Sequence, residues 1–314
     1  MLPVANAPSL LRRLKNRQLL LLTAIDESRS LRRAAASLNM TQPTATKLLQ
    51  DLEATLGLSL FERGRRGVRA TVYGEVMIRH ARLILNDLER TCLELESLAS
   101  GATGRLRIGA VISAIPFLLA RAVAALKRDQ PRLDIAIEVG TSDALVPMLA
   151  KGELDVLLAR PLALAGRSDF DYEDLIDEPL HIVSRVDHPL ASARALSMAD
   201  LASWPWTLLP AGSPMRKVLA PLFAAMMAHQ PLDVVETSSM MTMIALLQES
   251  DMLAVMPGDV ATFAVQHGLL HHLDVALPPI MGSYGILSLK EQPRSASTIA
   301  FVRCLKQCLV EGSN

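Results

Sequence analysis

The residues that could do chemistry in this chain of 314 residues do not form a catalytic motif. We find no nucleophile elbow, phosphate-binding loop or metalloprotease motif. His267, His271 and His272 cluster, but no acidic or cysteine ligand lies at a matching spacing, so we expect a loop-end cluster and no metal site. Cys304 and Cys308 lie one turn apart on a predicted helix, where buried thiols are commoner than a metal or redox pair. We therefore expect no enzyme, with an α/β metabolite-binding enzyme acting without DNA as the alternative.

Hydroxyl and guanidinium side chains instead follow several predicted strands of the second two thirds of the chain. Ligands of open α/β sheets lie at the carboxyl ends of strands, where helix N-termini point. Such groups suit a small anion, above all a carboxylate, as a ligand without any cofactor. Each serine or threonine could instead only cap its helix, and each arginine could be a surface ion-pair partner. The candidates are Ser113, Thr141, Ser142, Arg160, Ser213, Arg216, Thr237 and Ser238.

The elements that must position these residues alternate between strand and helix patterns from Gly104 onward. Strands are predicted at 104–111, 133–140, 154–160, 178–185, 232–237, 252–257 and in the segment SYGILSL near the C-terminus. Helices are predicted at 116–129, 142–151, 214–227, 239–248 and 295–309. Short loops between alternating elements indicate parallel α/β sheets. We expect two lobes, lobe I at about 104–161 and 270–314 and lobe II at about 162–269.

A second group of polar residues opens a helix in the N-terminal region. The segment LRRAAASLNMTQPTATKLLQDLE, residues 31–53, predicts two helices joined by a tight turn. Ser30 is a predicted N-cap, and Ala34 and Ala35 allow two helix backbones to approach closely. Thr41 can cap the next helix, and Pro43 is tolerated because first-turn amides need no intrahelical partner. This is a helix-turn-helix arrangement, in which the start of the second helix reaches base edges in the major groove.

A basic hairpin is predicted directly after this helix pair. In LFERGRRGVRAT, residues 60–71, two strand-like pieces flank a Gly-Arg-Arg-Gly turn. We interpret it as a wing whose arginines lie along phosphates, although a merely solvated hairpin is the alternative. The predicted DNA-binding residues of the helices and the wing are Arg32, Thr41, Gln42, Pro43, Thr44, Thr46, Lys47, Arg63, Arg65, Arg66 and Arg69.

A long helix is predicted from Val72 to about Ser97, followed by a break at SGATG, residues 100–104. Apolar or small residues recur along it at alternating spacings of four and three, which is a heptad seam. They are Met77, Ala81, Ile84, Leu88, Thr91, Leu95 and Leu98. A second copy of the chain is the simplest partner for such a seam. Packing of the helix against its own domain is the alternative, mainly for its N-terminal half.

The charged residues are unevenly distributed, so the chain has a basic head and an acidic remainder. Residues 1–85 hold 14 Lys and Arg against 6 Asp and Glu, and the rest holds 18 against 26. A basic module favours nucleic-acid binding, although chance clustering is the alternative.

Apolar runs fall short of the roughly 18 residues that a membrane span needs, and the N-terminal charge order is the reverse of a signal peptide. We expect a cytoplasmic protein without membrane contact, whereas a stand-alone solute-binding protein would need an export signal.

The head resembles the N-terminal signature of LysR-type transcriptional regulators. Matching features are the Ala-Ala pair, Gln42-Pro43, Leu52-Glu53, Leu56-Gly57, Leu60-Phe61-Glu62-Arg63, and the closing Thr71 and Gly74. Mild departures are Arg29-Ser30-Leu31 in place of Gly-Ser-Phe, Thr41 in place of serine and Ala70 in place of leucine.

The resemblance implies three parts in the chain. They are a winged helix-turn-helix domain at 15–74, a linker (dimerisation) helix and hinge at 75–103, and an α/β two-lobe, periplasmic-binding-protein-like effector domain at 104–314. It also implies a regulator that binds double-stranded DNA and a small effector, forms a homodimer and a homotetramer, and has RNA polymerase as a candidate partner.

Overall fold

The computed structural model describes residues 13–64, 67–99, 104–161, 169–227, 232–290 and 294–312. The chain divides into two compact units, one ending at Ala102 and the other starting at Thr103, apart from the turn Ala150–Glu153. The predicted hinge residues 101–103 lie outside the described residues. Among the described residues, no helix is long and apolar enough to span a membrane.

The described residues of the N-terminal unit form four helices and a two-stranded hairpin. Its elements are α1 (Asn16–Ser28), α2 (Leu31–Ser37), α3 (Gln42–Leu56), β1 (Phe61–Gly64), β2 (Gly67–Ala70) and α4 (Val72–Ala99). The predicted caps are confirmed, because Ser30 Oγ accepts from the Arg33 N–H and Thr41 Oγ1 accepts from the Thr44 N–H, both at 3.4 Å. Asn39 makes the turn in the left-handed region, with φ 52°.

Small residues hold the three head helices close together. Ala34, Ala35 and Ala45 are fully buried with Leu21 and Ile25, which confirms the predicted close approach of α2 and α3. A second cluster joins α1, α3 and α4. It consists of Leu19, Leu22, Leu52, Leu56, Leu60, Ile78 and Ala81. The start of α3 is thereby fixed to a rigid three-helix core.

Helix α4 is packed in its first part and exposed further along. Ile78 and Ala81 are buried in the head, as the alternative of packing on its own domain expected for the N-terminal half. Ile84, Leu88 and Leu95 of the predicted seam are 42%, 49% and 61% exposed. The side chain of Leu98 lies outside the description. An apolar stripe of this kind on a long helix is available to a partner.

The C-terminal unit contains two five-stranded sheets. Lobe I has the strand order β4-β3-β5-β12-β6, with β3 parallel to β4 and β5 and with β12 antiparallel to β5 and β6. Its strands are β3 (Arg105–Ala110), β4 (Asp134–Val139), β5 (Val156–Ala159), β6 (Phe170–Asp177) and β12 (Ser283–Leu289). Its helices are α5 (Ala120–Asp129), preceded by a π-helical turn at Ile115–Leu119, α6 (Ser142–Ala150) and α10 (Ala296–Gly312).

Lobe II has the strand order β11-β7-β10-β8-β9, with β8 parallel to β9 and β10 and with β7 antiparallel to β10 and β11. Its strands are β7 (Leu180–Ser184), β8 (Trp206–Leu208), β9 (Val234–Glu236), β10 (Leu253–Pro257) and β11 (His271–His272). Its helices are α7 (Pro214–Met227), α8 (Met240–Gln248) and α9 (Gly258–Gln266). Strand β10 is buried on both faces, since Leu253 and Val255 lie in one apolar cluster and Ala254 and Met256 in another.

The structure corrects three expectations about the two lobes. Strands β6, β8 and β11 and helix α9 were not predicted, and the sheets are mixed rather than parallel. Because β6 pairs with β12, lobe I extends to Asp177, and lobe II begins near Glu178 rather than near 162. Because β11 pairs with β7, the chain returns to lobe I near Gly282 rather than near 270. Strand pairing, which short segments do not reveal in isolation, decides these boundaries.

Candidate functional site

The first turns of α3 present polar side chains away from the core. Gln42, Pro43, Thr44 and Lys47 are exposed, as are Thr41 before the helix and Arg32 on α2. Thr46 is half-buried, and its hydroxyl donates to the Gln42 carbonyl at 2.9 Å. The helix start thus has an exposed edge with one amide, one ammonium and several hydroxyls. Amide, ammonium and hydroxyl groups are of the kinds that can form hydrogen bonds with base edges in a major groove.

The wing is fixed to the helices by hydrogen bonds that its backbone N–H groups donate. Glu53 Oε1, near the end of α3, accepts from the N–H groups of Leu60 at 2.7 Å and Phe61 at 3.3 Å. The Val68 N–H donates to the Arg29 carbonyl at 3.1 Å. Strands β1 and β2 pair from Phe61 opposite Ala70 to Gly64 opposite Gly67. The hairpin is therefore a rigid extension of the head.

The basic side chains of the wing are only partly described. Arg69 is exposed on β2. Arg65 and Arg66 lie outside the described residues, and so does the side chain of Arg63. The structure brings Arg69 and the start of α3 into the same small unit, which is the placement that a winged helix-turn-helix needs.

In the C-terminal unit, the structure brings Ser113, Ser142 and Arg160 together and adds Glu178. Ser113 is buried in the short turn after β3, and Arg160 follows β5. The Ser113 hydroxyl donates to Glu178 Oε1, and the Arg160 guanidinium pairs with Glu178 Oε2. Arg160 also donates to Ser113 Oγ at 3.2 Å, while its backbone N–H donates to Ser142 Oγ at 3.1 Å. An internal carboxylate thus lies where the sequence predicts the anionic ligand.

The Arg160–Glu178 pair is largely removed from water. The Glu178 side chain is 2% exposed and that of Arg160 is 15% exposed. Burial lowers the pKa of Arg160 to about 10, against a smaller raising effect of Tyr284. The guanidinium therefore remains charged at neutral pH and needs a negative partner nearby. Its Nε has no hydrogen-bond partner among the described residues.

Two more titratable groups face each other between the lobes. The Tyr284 hydroxyl of β12 donates to Asp259 Oδ2 of α9 in a long hydrogen bond of 3.5 Å. Burial and the nearby Asp259 carboxylate raise the pKa of Tyr284. Burial raises the pKa of Asp259, and the hydrogen bond from Tyr284 opposes this shift. The nearby Arg160 guanidinium opposes the rise in the pKa of Tyr284, so the Tyr284–Asp259 pair lies close to the Arg160–Glu178 pair.

Two of the remaining predicted ligand residues accept backbone hydrogen bonds at or just before the start of a helix. Ser213 Oγ accepts from the Arg216 N–H at 3.3 Å at the start of α7, and Thr237 Oγ1 accepts from the Ser239 N–H at 3.2 Å. Thr141 and Ser238 are exposed. Arg216 lies over the Phe223 ring at 4.7 Å, and its buried Nε has no hydrogen-bond partner among the described residues.

Glu178, Asp259 and Tyr284 were not predicted as site residues. Glu178 directly precedes Pro179 between two strands, a crossing position that could have marked it. Asp259 and Tyr284 have no local signal, since they lie 25 positions apart in the chain and only the fold brings their side chains into contact.

The histidine cluster has a different structure from the one expected. His271 and His272 form the edge strand β11, and His272 Nε2 lies 2.6 Å from His181 Nδ1 on β7. The described residues contain no group of three His, Cys, Asp or Glu side chains that could hold a metal ion. Cys304 is buried and Cys308 is half-buried.

Comparisons with known proteins identify the family of each part of the chain. Residues 16–75 match the bacterial regulatory helix-turn-helix protein model of the lysR family, and residues 99–309 match the LysR substrate binding domain. The HTH-type transcriptional regulator GbpR of Azospirillum brasilense is 40% identical over 288 residues, covering 90% of this chain and 83% of that protein.

The fold is similar to those of two solved regulators. Full-length CbnR complexed with its target DNA gives a TM-score of 0.56 at 21% identity, covering 94% of this chain and 100% of that chain. A full-length OxyR variant from Pseudomonas aeruginosa gives a TM-score of 0.57 at 22% identity, covering 94% of each chain. The two family models, which together match most of the chain, and the relative that is 40% identical show that the chain belongs to the LysR family of DNA-binding transcriptional regulators with an effector-binding domain.

Proposed function

We propose that this regulator reads its operator with the start of α3 and holds the DNA backbone with the wing. The observation that carries the proposal is the exposed polar edge at Gln42, Thr44 and Lys47, fixed on a rigid alanine-packed helix pair. Gln42, Pro43, Thr46 and Lys47 are assigned to base edges, with Lys47 also able to reach phosphate. Arg65, Arg66 and Arg69 are assigned to the phosphates.

We propose further that the chain acts as a dimer joined through α4, and as a tetramer of two such dimers. The exposed seam residues Ile84, Leu88 and Leu95 support the dimer. Two heads then present two recognition helices to two half-sites of the operator. RNA polymerase is the proposed partner at the promoter, the cytoplasm is the proposed location, and no catalytic role is assigned to the chain.

A DNA-binding titration across salt concentrations tests the DNA proposal. Phosphate contacts release counterions, so the logarithm of the association constant should fall linearly with the logarithm of salt concentration. Gln42→Ala should cost about 1–3 kcal/mol and relax the preference at one base pair, whereas Arg69→Ala should weaken binding to all sequences alike. Gln50→Ala, two turns further along α3, is the matched control. A salt-independent affinity, or a change of sequence preference in Arg69→Ala alone, would contradict the assignment.

We propose that the effector is a small carboxylate bound between the lobes. Ser113, Ser142 and Arg160 form one polar cluster at the end of β3 and β5, which is the edge where such sheets bind ligands. The counter-charge for the carboxylate comes from Arg160 or Arg216. The N-terminus of α7, capped by Ser213, adds a favourable dipole.

A thermal-shift screen of small carboxylates on the full chain tests the effector proposal. A carboxylate that raises the melting temperature of wild type should lose its effect when Ser113→Ala is combined with Arg160→Ala, or in Arg216→Met. Uncharged hits alone, or hits that survive all of these substitutions, would contradict the anion cleft. The same hit should change the complex with operator DNA, since an effector acts only by binding two arrangements of the protein unequally.

A further inference from the structure

The carboxylate of Glu178 occupies the position in which an anionic effector would meet Ser113 and Arg160. Each of its two oxygens has a partner, with Ser113 Oγ donating to Oε1 and the Arg160 guanidinium paired with Oε2. Arg160 and Ser113 are themselves joined at 3.2 Å, so the three side chains form a closed triangle. An anion cannot bind these donors while Glu178 keeps them.

Glu178 also lies at the junction of the two lobes. It is the first residue after β6 of lobe I, and β7 of lobe II begins two residues later, at Leu180. Its N–H donates at 3.3 Å to the carbonyl of Gly282, which precedes β12 on the returning crossing. The neighbouring Pro179 carbonyl accepts from the Gly258 N–H at 2.8 Å, at the start of α9. A movement of Glu178 therefore acts on both crossings between the sheets.

We propose that Glu178 is an internal competitor of the effector: the effector carboxylate binds Ser113 and Arg160 by replacing Glu178, and the release of Glu178 loosens the crossing between the lobes. This inference rests on the proposed effector site. The triangle still holds a free donor, since Arg160 Nε is buried without a hydrogen-bond partner among the described residues. A ligand that exchanges with Glu178 can use this donor as well as the two that Glu178 gives up.

The exchange explains how a cleft with a buried guanidinium remains stable without ligand. A buried charge without a partner is strongly unfavourable, so Arg160 requires a carboxylate in either state. Glu178 supplies it in the free protein, and the effector supplies it in the complex. Arg160 has one carboxylate partner both in the free protein and in the effector complex. The two states differ in the position of the Glu178 side chain.

Calorimetric titration of the full chain with matched probes tests the exchange. The probes are acetate and benzoate, with acetamide and benzamide as uncharged analogues of the same shape. Glu178→Gln keeps the size of the side chain and removes its charge, so Arg160 is left with an unmet need for an anion. We expect Glu178→Gln to bind the two carboxylates at least tenfold more tightly than wild type. Its affinity for each of the two amides should equal that of wild type. Adding Arg160→Met should remove the gain.

The chain offers a matched control on β6, the strand that directly precedes Glu178. Glu173 of β6 pairs with Lys306 at 2.6 Å on the surface, where both side chains are nearly half exposed. Glu173→Gln should leave the affinity for carboxylates at the wild-type value. If Glu178→Gln does not fold, Glu178→Asp takes its place, since the shorter side chain draws the carboxylate away from Ser113 and should give a smaller gain of the same sign.

Three results would overturn the exchange. They are equal carboxylate affinity in wild type and Glu178→Gln, tighter binding to wild type, and no carboxylate binding to either protein. If wild type and Glu178→Gln bind carboxylates equally and Arg216→Met removes this binding, the proposed effector site is supported and only the exchange is rejected. Conversely, a gain in Glu178→Gln without any change in the operator complex would support the exchange and reject the effector role.

Discussion

Single positions decide how the head is assembled, and Gly74 at the start of α4 is the clearest of them. A Cβ on Gly74 would overlap the Leu60 carbonyl oxygen, which also accepts from the Thr71 N–H at 2.9 Å. The Gly74 N–H in turn donates to Thr71 Oγ1 at 3.1 Å. Backbone cannot yield as the end of a side chain can, so only glycine fits here.

Gly74→Ala should therefore lower the free energy of unfolding of the head by about 1–3 kcal/mol or more, as overpacking does. Chemical denaturation followed by circular dichroism measures the loss. Gly64→Ala is the matched control, since its Cβ would lie 3.6 Å from the Gly67 carbonyl oxygen, an ordinary contact. Equal stability of the two variants would show that the head relaxes around the added methyl group.

The pair His181 and His272 predicts a pH dependence of the C-terminal unit. Burial and repulsion from His272 lower the pKa of His181, and burial and repulsion from His271 lower the pKa of His272. Near the ordinary imidazole pKa of about 6.5, the unfolded chain thus binds more protons than the folded chain. The stability from this pair is present above about pH 6.5 and is lost as the pH falls below it.

Melting curves between pH 7.5 and 5.5 should show a falling melting temperature, and His272→Gln should reduce this slope. His188, whose pKa is also lowered by burial, accounts for part of the remaining slope. Gln266→Asn at the exposed end of α9, which removes no titratable group, is the control and should keep the wild-type slope. A slope unchanged in His272→Gln would mean that the pair does not control acid stability.

Among the elements, α4 has two roles along its length. Its first part belongs to the head core through Ile78 and Ala81, and its later part carries the exposed Ile84, Leu88 and Leu95. A heptad seam whose residues remain exposed among the described residues of its own unit is the pattern of a helix that pairs with another copy.

Leu88→Glu should dissociate the dimer, because two seams would then bring like charges into an apolar interface. Light scattering after gel filtration measures the mass, which should fall to half of the wild-type value, because the α4 contacts are lost and the contact between the two dimers of the tetramer remains. Glu89→Gln, at the neighbouring exposed position on the same helix, should leave the mass unchanged. A dimer that survives Leu88→Glu would place the interface elsewhere.

At the scale of the whole molecule, the two compact units have separate apolar cores. Units with separate cores unfold independently unless an interface couples them. Differential scanning calorimetry should therefore resolve two transitions. Gly74→Ala should lower the midpoint temperature of the transition of the N-terminal unit. An effector should raise the midpoint temperature of the transition of the C-terminal unit. A single transition that both changes shift together would show that the units unfold as one.

The local elements and the family were determined by the sequence itself. The caps at Ser30 and Thr41, the alanine contact and the wing follow from residue types at short spacing, because turns, caps and helical faces are local properties of the chain. The match of the head to its family rests on the same residues. The strand ends that carry Ser113 and Arg160 also followed from local pattern.

Only the tertiary structure decided which side chains meet. Glu178 lies 65 positions from Ser113 along the chain, and the pairing of β6 with β12 carries it to the same end of the sheet. The sequence predicted Arg160 as the counter-charge of an anionic ligand, with a surface ion pair as the alternative, and the fold supplies a buried carboxylate from Glu178. Contacts between distant segments depend on strand order and crossing connections, which no short stretch encodes, and so the charge of the cleft is a property of the fold.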